Sequence, residues 1–150
     1  MNTKKDVQEF VAEKTLAVAG VSRNEKSFSA TAYKQLTTRG YRLYPVNPNA
    51  ELICGEKCYP SLKKLPAKVG GVLVFTPPAE TEKVVREAAA AGIRHVWIQQ
   101  GAESEGALRF CADTGLSAVS RQCILMFAEP VGSFHAFHRW VNKVFGTLPK

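Results

Sequence analysis

"LAVAGVSRN", residues 16–24, is the stretch that decides the fold. An apolar run ends at Gly20 and a helical pattern opens a few residues later, which predicts a buried strand, a glycine turn and a helix. A strand that leads into a glycine turn is typical of nucleotide-binding α/β domains. Dinucleotide sites usually carry several glycines here, as G-x-G-x-x-G, whereas this turn has Gly20 alone. The stretch therefore raises the question of which ligand such a turn would hold.

Strand and helix patterns alternate along the rest of the chain. Strands are predicted at 14–20, 41–48, 70–75, 93–101 and 116–119. Helices are predicted at 3–13, 29–40, 76–92, 104–115 and 133–146, with Thr3, Ser104 and Ser133 as N-caps and Gly40, Gly92 and Gly115 as stops. Residues 49–58 are expected to form a loop, and residues 61–66 a short turn or helix.

This alternation predicts the fold class. Consecutive parallel strands need a helical crossover between them, and such crossovers are right-handed. We therefore expect an α/β, Rossmann-like, three-layer fold, in which a parallel sheet of about five strands carries helices on both faces. The chain, 1–150, is interpreted as a single domain with an added C-terminal helix at 133–146.

The composition is typical of a soluble domain. Apolar residues make up 45% of the 150 residues, enough for a substantial core. No apolar stretch approaches the roughly 18 residues of a membrane helix, and "MNTKKDVQEF" lacks the apolar segment of a signal peptide. We therefore expect a cytoplasmic protein with no membrane partner.

The net charge of +7 narrows the class of ligand. Nucleic-acid-binding proteins concentrate their positive charge in patches, whereas Lys and Arg are scattered here and no stacking aromatic platform accompanies them. A basic single domain suits a small polyanion, such as a phosphorylated cofactor, equally well. No nucleic-acid partner is expected.

The cysteines and histidines show no metal-binding or catalytic pattern. Cys54 and Cys58 lack the further ligands of a zinc site, so they are interpreted as structural thiols, with a redox pair as the alternative. His135 and His138 are expected on a solvated helix face, and His95 lies within a strand. A Cys–His dyad would have to be assembled by the fold, and no motif supports one. No metal site and no catalytic residue are predicted.

The turn after the first strand is a candidate anion site. Gly20 lets the backbone turn without a Cβ clash, Ser22 offers a hydroxyl, and Arg23 offers a fork of donors suited to phosphate. The helix that follows directs its unpaired N–H groups to the same place. The alternative is a plain strand–helix turn with a surface arginine.

Further candidate residues follow the other strands, because ligands of such sheets bind beyond the carboxyl ends of the strands. After the second strand, Asn47 stands where an NAD site usually has an acidic residue, and Val46 and Pro48 could line an adenine pocket. The alternative is that Asn47 and Pro48 only begin a turn. After the third and fourth strands come Phe75, Thr76 and Pro77, then Gln99 and Gly101.

These segments resemble the standalone CoA-binding proteins, which are similar to the N-terminal CoA-binding domain of the succinyl-CoA synthetase alpha subunit. The resemblance covers about residues 15–123 and is most specific in "YPVNP" and "WIQQG". It implies a Rossmann-like domain that binds coenzyme A without a reaction of its own. The sequence departs from the family pattern at three positions. These are Ser29, where a glycine is common, Gly70 and Arg121.

The resemblance also implies which residues would contact coenzyme A or an acyl-CoA. Each part of the ligand would meet one strand end. The phosphates would meet Gly20, Val21, Ser22, Arg23 and Lys26; the adenosine would meet Val46, Asn47 and Pro48; Phe75, Thr76 and Pro77 would line the cleft; and Gln99 and Gly101 would lie toward the pantetheine arm.

Two other functions remain open on the sequence alone. An NAD(P)-dependent oxidoreductase is disfavoured by the single glycine and by Asn47. A partner-binding protein with a vestigial nucleotide cleft is the other alternative, because Phe134, Phe137 and Trp140 of the last predicted helix could form a homodimer face or contact another protein rather than pack on the core.

Overall fold

The computed structural model describes residues 2–128, so the helix predicted at 133–146, with His135 and His138, lies outside the described residues. Strands and helices alternate as the sequence predicts. The strands are β1 (Thr15–Ala19), β2 (Arg42–Val46), β3 (Leu52–Ile53), β4 (Glu56–Lys57), β5 (Gly71–Val74), β6 (His95–Gln99) and β7 (Ser117–Gln122). The helices are α1 (Lys4–Ala12), α2 (Phe28–Thr38), α3 (Pro78–Ala90) and α4 (Glu105–Thr114), with short 3-10 turns at Leu62–Lys64 and Ile124–Met126.

Five of the strands form one parallel sheet in the order β2-β1-β5-β6-β7. The chain runs from β1 outward to β2, returns to pair β5 with the other side of β1, and continues outward to β7. The strand order therefore reverses between β1 and β5, which is where α/β sheets bind ligands. The predicted fold class, a Rossmann-like parallel sheet with helices, is confirmed.

Side-chain alternation along the strands divides the core into two layers. Leu16, Val18, Leu73 and Trp97 pack with the apolar faces of α1 and α2. Their sequence neighbours on the same strands point to the other face, where they pack with α3 and α4. The second layer includes Ala17, Ala19, Val72, Val74, Val96 and Ile98. Both faces of the sheet are thus buried under helices, as parallel sheets require.

Most helix ends follow from local capping. Thr3 and Asp6 form a reciprocal capping box at α1, Ser104 accepts from the Ala107 N–H at α4, and Gly115 ends α4 in the left-handed conformation. The second helix was predicted to begin at residue 29. It begins at Phe28, because the Ser27 side chain caps it. Ser29 is therefore inside the first turn of α2, where its hydroxyl can reach the preceding loop.

Two other segments also differ from the prediction. The expected loop at 49–58 contains a small antiparallel hairpin, β3–β4, whose turn residues Cys54 and Gly55 both have positive φ, at 50° and 78°. Such turns usually carry Asn-Gly. Here Cys54 stands in place of the asparagine, so the usual sequence signal of a hairpin is missing. The last strand extends to Gln122 instead of ending at Val119, because it keeps pairing with β6 beyond a register shift.

Candidate functional site

A cleft of about 460 Å³ opens at the carboxyl ends of β1, β5 and β6. It lies at the point where the strand order reverses. Three loops and the first turn of α2 supply its walls. The lining residues are Gly20, Ser22, Ser27, Phe28, Ser29, Phe75, Thr76, Pro77, Pro78, Gln99, Gln100, Gly101 and Ala102.

Gly20 holds the first loop against the third. Its φ is +86°, and a Cβ added there would lie 2.6 Å from the Thr76 backbone nitrogen and 2.9 Å from the Phe75 carbonyl carbon. Both neighbours are backbone atoms, which cannot rotate away as a side chain can. The glycine therefore does more than turn the chain: it lets the β1–α2 loop contact the β5–α3 loop and so closes the floor of the cleft.

Three serines organise the wall beside α2. The Ser27 hydroxyl caps the helix by accepting from the Ala30 N–H at 3.2 Å. The Ser29 hydroxyl lies 3.3 Å from the Ser27 hydroxyl and accepts from the Ser22 N–H at 3.0 Å. One backbone donor of the predicted anion turn is therefore already paired with a side chain of the same protein.

A chain of hydroxyl groups joins the opposite walls. The Thr76 and Thr81 hydroxyls lie 2.8 Å apart, and Thr81 donates to the Ala102 carbonyl at 2.6 Å. Thr81 is completely buried in α3, whereas Thr76 and Ala102 line the cleft. These bonds tie the β5–α3 loop, α3 and the β6–α4 loop together.

Gln99 connects the cleft to the segment that follows β7. Its side-chain oxygen accepts from the Ile124 N–H at 3.0 Å, and the residue is 4% exposed. The same segment is held by Arg39, which donates to the Leu125 and Ala128 carbonyls. Gln99 thus positions a turn of backbone in addition to lining the cleft.

Seven of the predicted site residues surround this one cleft, and the remaining six do not line it. The seven are Gly20, Ser22, Phe75, Thr76, Pro77, Gln99 and Gly101. Val21 is buried in the core layer of α1 and α2, so only its backbone could meet a ligand. Arg23 and Lys26 are exposed on the loop beside the cleft, and their side chains make no bond or ion pair within residues 2–128.

The segment Val46–Pro48 lies apart from the cleft lining. Val46 packs in the core with α3 and α4, and Pro48 is exposed. The Asn47 side-chain oxygen accepts from the Asn49 N–H at 2.9 Å, and its backbone N–H donates to the Tyr59 carbonyl. This geometry is that of a turn beginning at Asn47, which was the alternative interpretation of the segment.

Six lining residues were not among the predicted site residues: Ser27, Phe28, Ser29, Pro78, Gln100 and Ala102. Phe28 is the most informative of them, because it is 51% exposed and makes an edge-on contact with Phe75, with ring centroids 6.2 Å apart. A large apolar side chain in the first turn of a helix, next to a strand-end loop, was the available signal. It gives the cleft an aromatic rim.

The cleft itself is neutral. Among the described residues that line it, none carries an acidic, basic or thiol side chain. All four cysteines are free, and burial raises the pKa of Cys58 and Cys54, and raises that of Cys111 to about 11. Thiols with raised pKa are poor nucleophiles, which favours a structural role for them. Within residues 2–128, no cluster of His, Cys, Asp or Glu suited to a metal ion is present.

The chain belongs to the CoA-binding domain family, whose sequence pattern matches residues 14–129. It is 33% identical over 104 residues to the ADP-forming acetate–CoA ligase II of Archaeoglobus fulgidus, a match that covers 67% of this chain and 16% of the ligase. The alpha subunit of the corresponding Pyrococcus furiosus ligase is 29% identical over 90 residues, covering 59% of this chain and 20% of the subunit. The chain thus spans about a fifth or less of these curated relatives.

Solved structures share the fold. A hypothetical protein from Pyrococcus horikoshii superposes with a TM-score of 0.76 at 32% identity, covering 82% of this chain and 87% of that one. A conserved hypothetical protein from Pyrococcus furiosus gives a TM-score of 0.70 at 36% identity, covering 75% and 97%. The family resemblance is confirmed, and both matches are to small chains that consist almost entirely of this domain.

No helix in the described part of the chain is long and apolar enough to cross a membrane.

Proposed function

We propose that this protein binds coenzyme A, or an acyl-CoA, in the cleft at the carboxyl ends of β1, β5 and β6, and that it catalyses no reaction itself. The observation that carries the proposal is that the CoA-binding family pattern, 14–129, spans every loop that lines this cleft. The cleft also lies where the strand order reverses, which is the general position of nucleotide ligands in such sheets.

The wall beside α2 suits the phosphates of the ligand. The Phe28 and Ser29 N–H groups in the first turn of α2 make no hydrogen bond within the described residues, and the positive end of the helix dipole lies there. Arg23 and Lys26 are exposed on the adjoining loop and carry the charge that would balance the phosphates. Neither side chain has to break an ion pair within residues 2–128 to reach the ligand.

The remaining walls suit an uncharged arm. Phe28, Phe75 and the prolines after β5 provide apolar surface, and Thr76 and Gln99 provide isolated polar groups. A mostly apolar lining with a few polar groups is typical of cofactor sites. Since no described lining residue offers an acid or base for proton transfer, the cleft favours binding over catalysis.

Thermal unfolding with added ligand tests the proposal. A ligand present at about 100 times its Kd stabilises the folded state by about 2.7 kcal/mol, which corresponds to roughly 10 °C for a domain of this size. Coenzyme A and acetyl-CoA should produce such a shift, and NADH and NADPH should not. No shift with millimolar coenzyme A would refute the proposal, and tighter binding of a reduced nicotinamide would favour the oxidoreductase alternative.

Two arginine variants test where the phosphates lie. Arg23→Ala should weaken coenzyme A roughly tenfold or more, since a hydrogen bond to a charged group contributes about 1.5–3 kcal/mol. Arg94→Ala is the matched control, because Arg94 is also exposed but lies at the amino-terminal end of β6, whereas the cleft lies at the carboxyl ends of the strands. Equal effects of the two variants would show that Arg23 acts only through the net charge.

A further inference from the structure

The side-chain amide of Gln99 has a fixed orientation. The Ile124 backbone can only donate, so the group that faces it at 3.0 Å must be the amide oxygen. The NH₂ group therefore points elsewhere, and it has no hydrogen-bond partner among residues 2–128. Nor is it among the fully buried unpartnered atoms of the described residues. Gln99 is 4% exposed and lines the cleft, so we infer that its NH₂ group, which the described residues leave without an acceptor, is available there as a donor.

The hydroxyl of Thr76 has the opposite polarity. Thr81 has a single hydroxyl proton, and the Ala102 carbonyl at 2.6 Å can only accept it. The Thr76–Thr81 hydrogen bond at 2.8 Å must then use the proton of Thr76. Thr76 has no proton left for a ligand, so it can only accept. It is 7% exposed and lines the cleft.

The two groups approach the cleft from opposite faces of the sheet. Gln99 bonds to Ile124, which packs in the core layer of α1 and α2, whereas Thr76 bonds to Thr81 of α3 on the other face. The strands that carry them are neighbours, with Val74 paired to Ile98 just before the two loops. A donor and an acceptor thus lie at neighbouring strand tips, one on each face of the sheet.

We propose that Gln99 and Thr76 are specificity-determining residues that read a secondary amide of the ligand. In a trans amide the carbonyl and the N–H point in opposite directions, so Gln99 would donate to the carbonyl while Thr76 accepts from the N–H. A phosphate has no proton to give Thr76 and is disfavoured there. The inference rests on the proposed function and assigns this end of the cleft to the amide-bearing pantetheine arm of coenzyme A.

Gln99→Glu tests the donor, because the variant keeps the shape and an oxygen for Ile124 but replaces NH₂ with an acceptor. Affinity for coenzyme A and for pantetheine should fall about tenfold or more, whereas affinity for ADP, which has no amide, should change by less than about threefold. Gln8→Glu on α1, away from the cleft, is the control for the added charge. An equal loss for ADP and coenzyme A, or an unchanged affinity for pantetheine, would overturn the inference.

Thr76→Val and Thr76→Ser test the acceptor. If Gln99→Glu does not fold, these two variants test the amide-reading proposal by themselves. Valine should weaken coenzyme A and pantetheine several-fold, and serine should restore them, because serine keeps the hydroxyl. Equal affinity of the valine and serine variants would overturn the assignment of Thr76. Failure of coenzyme A to bind the wild-type protein would refute the proposed function instead, and the pantetheine titrations would still test the amide-reading pair.

Discussion

Gly20→Ala should destabilise the protein and abolish coenzyme A binding together. The added methyl would lie 2.6 Å from the Thr76 nitrogen and 2.9 Å from the Phe75 carbonyl carbon, so two loops would have to separate. A Cβ at a φ of +86° costs about 1–2 kcal/mol, and forcing packed backbone apart costs about 1–3 kcal/mol more. The expected loss of about 2–5 kcal/mol corresponds to a fall in Tm of roughly 8–20 °C.

Gly92→Ala is the matched control for this experiment. Gly92 has a similar φ of +79°, but no atom of the described residues lies within 4 Å of the position of its missing Cβ. The control therefore isolates the conformational cost of about 1–2 kcal/mol, or roughly 4–8 °C in Tm. Differential scanning calorimetry gives the stabilities, and isothermal titration gives the affinity for coenzyme A. Equal destabilisation by the two variants, with coenzyme A binding retained in Gly20→Ala, would refute the argument that Gly20 closes the cleft.

Three further predictions concern other parts of the molecule. Ser29→Ala frees the Ser22 N–H for a phosphate and should tighten coenzyme A and ADP several-fold in calorimetric titrations, with Ser61→Ala as control; weaker binding would show that the Ser29 hydroxyl itself contacts the ligand. Thr81→Val strands the Ala102 carbonyl and the Thr76 hydroxyl and should cost about 2–4 kcal/mol in urea unfolding, whereas the exposed Thr114→Val should cost little. Burial raises the pKa of Cys111 to about 11, so the folded state keeps this proton after the unfolded chain has lost it. Stability should therefore be insensitive to this thiol below pH 9 and fall by up to about 1.4 kcal/mol per unit between pH 9 and 11, and an equally steep fall in Cys111→Ala would contradict the assignment.

Periodicity and capping chemistry in the sequence determined most of the fold. Apolar runs of strand length alternate with amphipathic segments, and each such pattern reflects a local backbone repeat of about 2 or 3.6 residues. The caps at Thr3, Ser104 and Gly115 follow from side chains next to their own helices, so they too could be predicted. The hairpin at 52–57 could not, because its turn places Cys54 in a conformation that its residue type disfavours.

The end of the sheet that carries the candidate site was also predictable, since the carboxyl ends of parallel strands lie together. Gly20, Phe75 and Gln99 lie near one another there because β1, β5 and β6 are neighbouring strands. The outer limit of the cleft was not predictable. Val46 and Asn47 also follow a strand, yet β2 is at the edge of the sheet, and the Tyr59 segment pairs with its end.

Only the tertiary structure decided the hydrogen-bonding character of the cleft. The sequence shows that Ser22, Thr76 and Gln99 are polar, but not which of their donors and acceptors are already used. Those partners are Ser29, Thr81 and Ile124, and the last is 25 residues from Gln99 along the chain. A hydrogen bond between distant segments depends on how the elements pack, which no local repeat encodes. The residue types therefore set the position of the cleft, and the packing set what each polar group can offer a ligand.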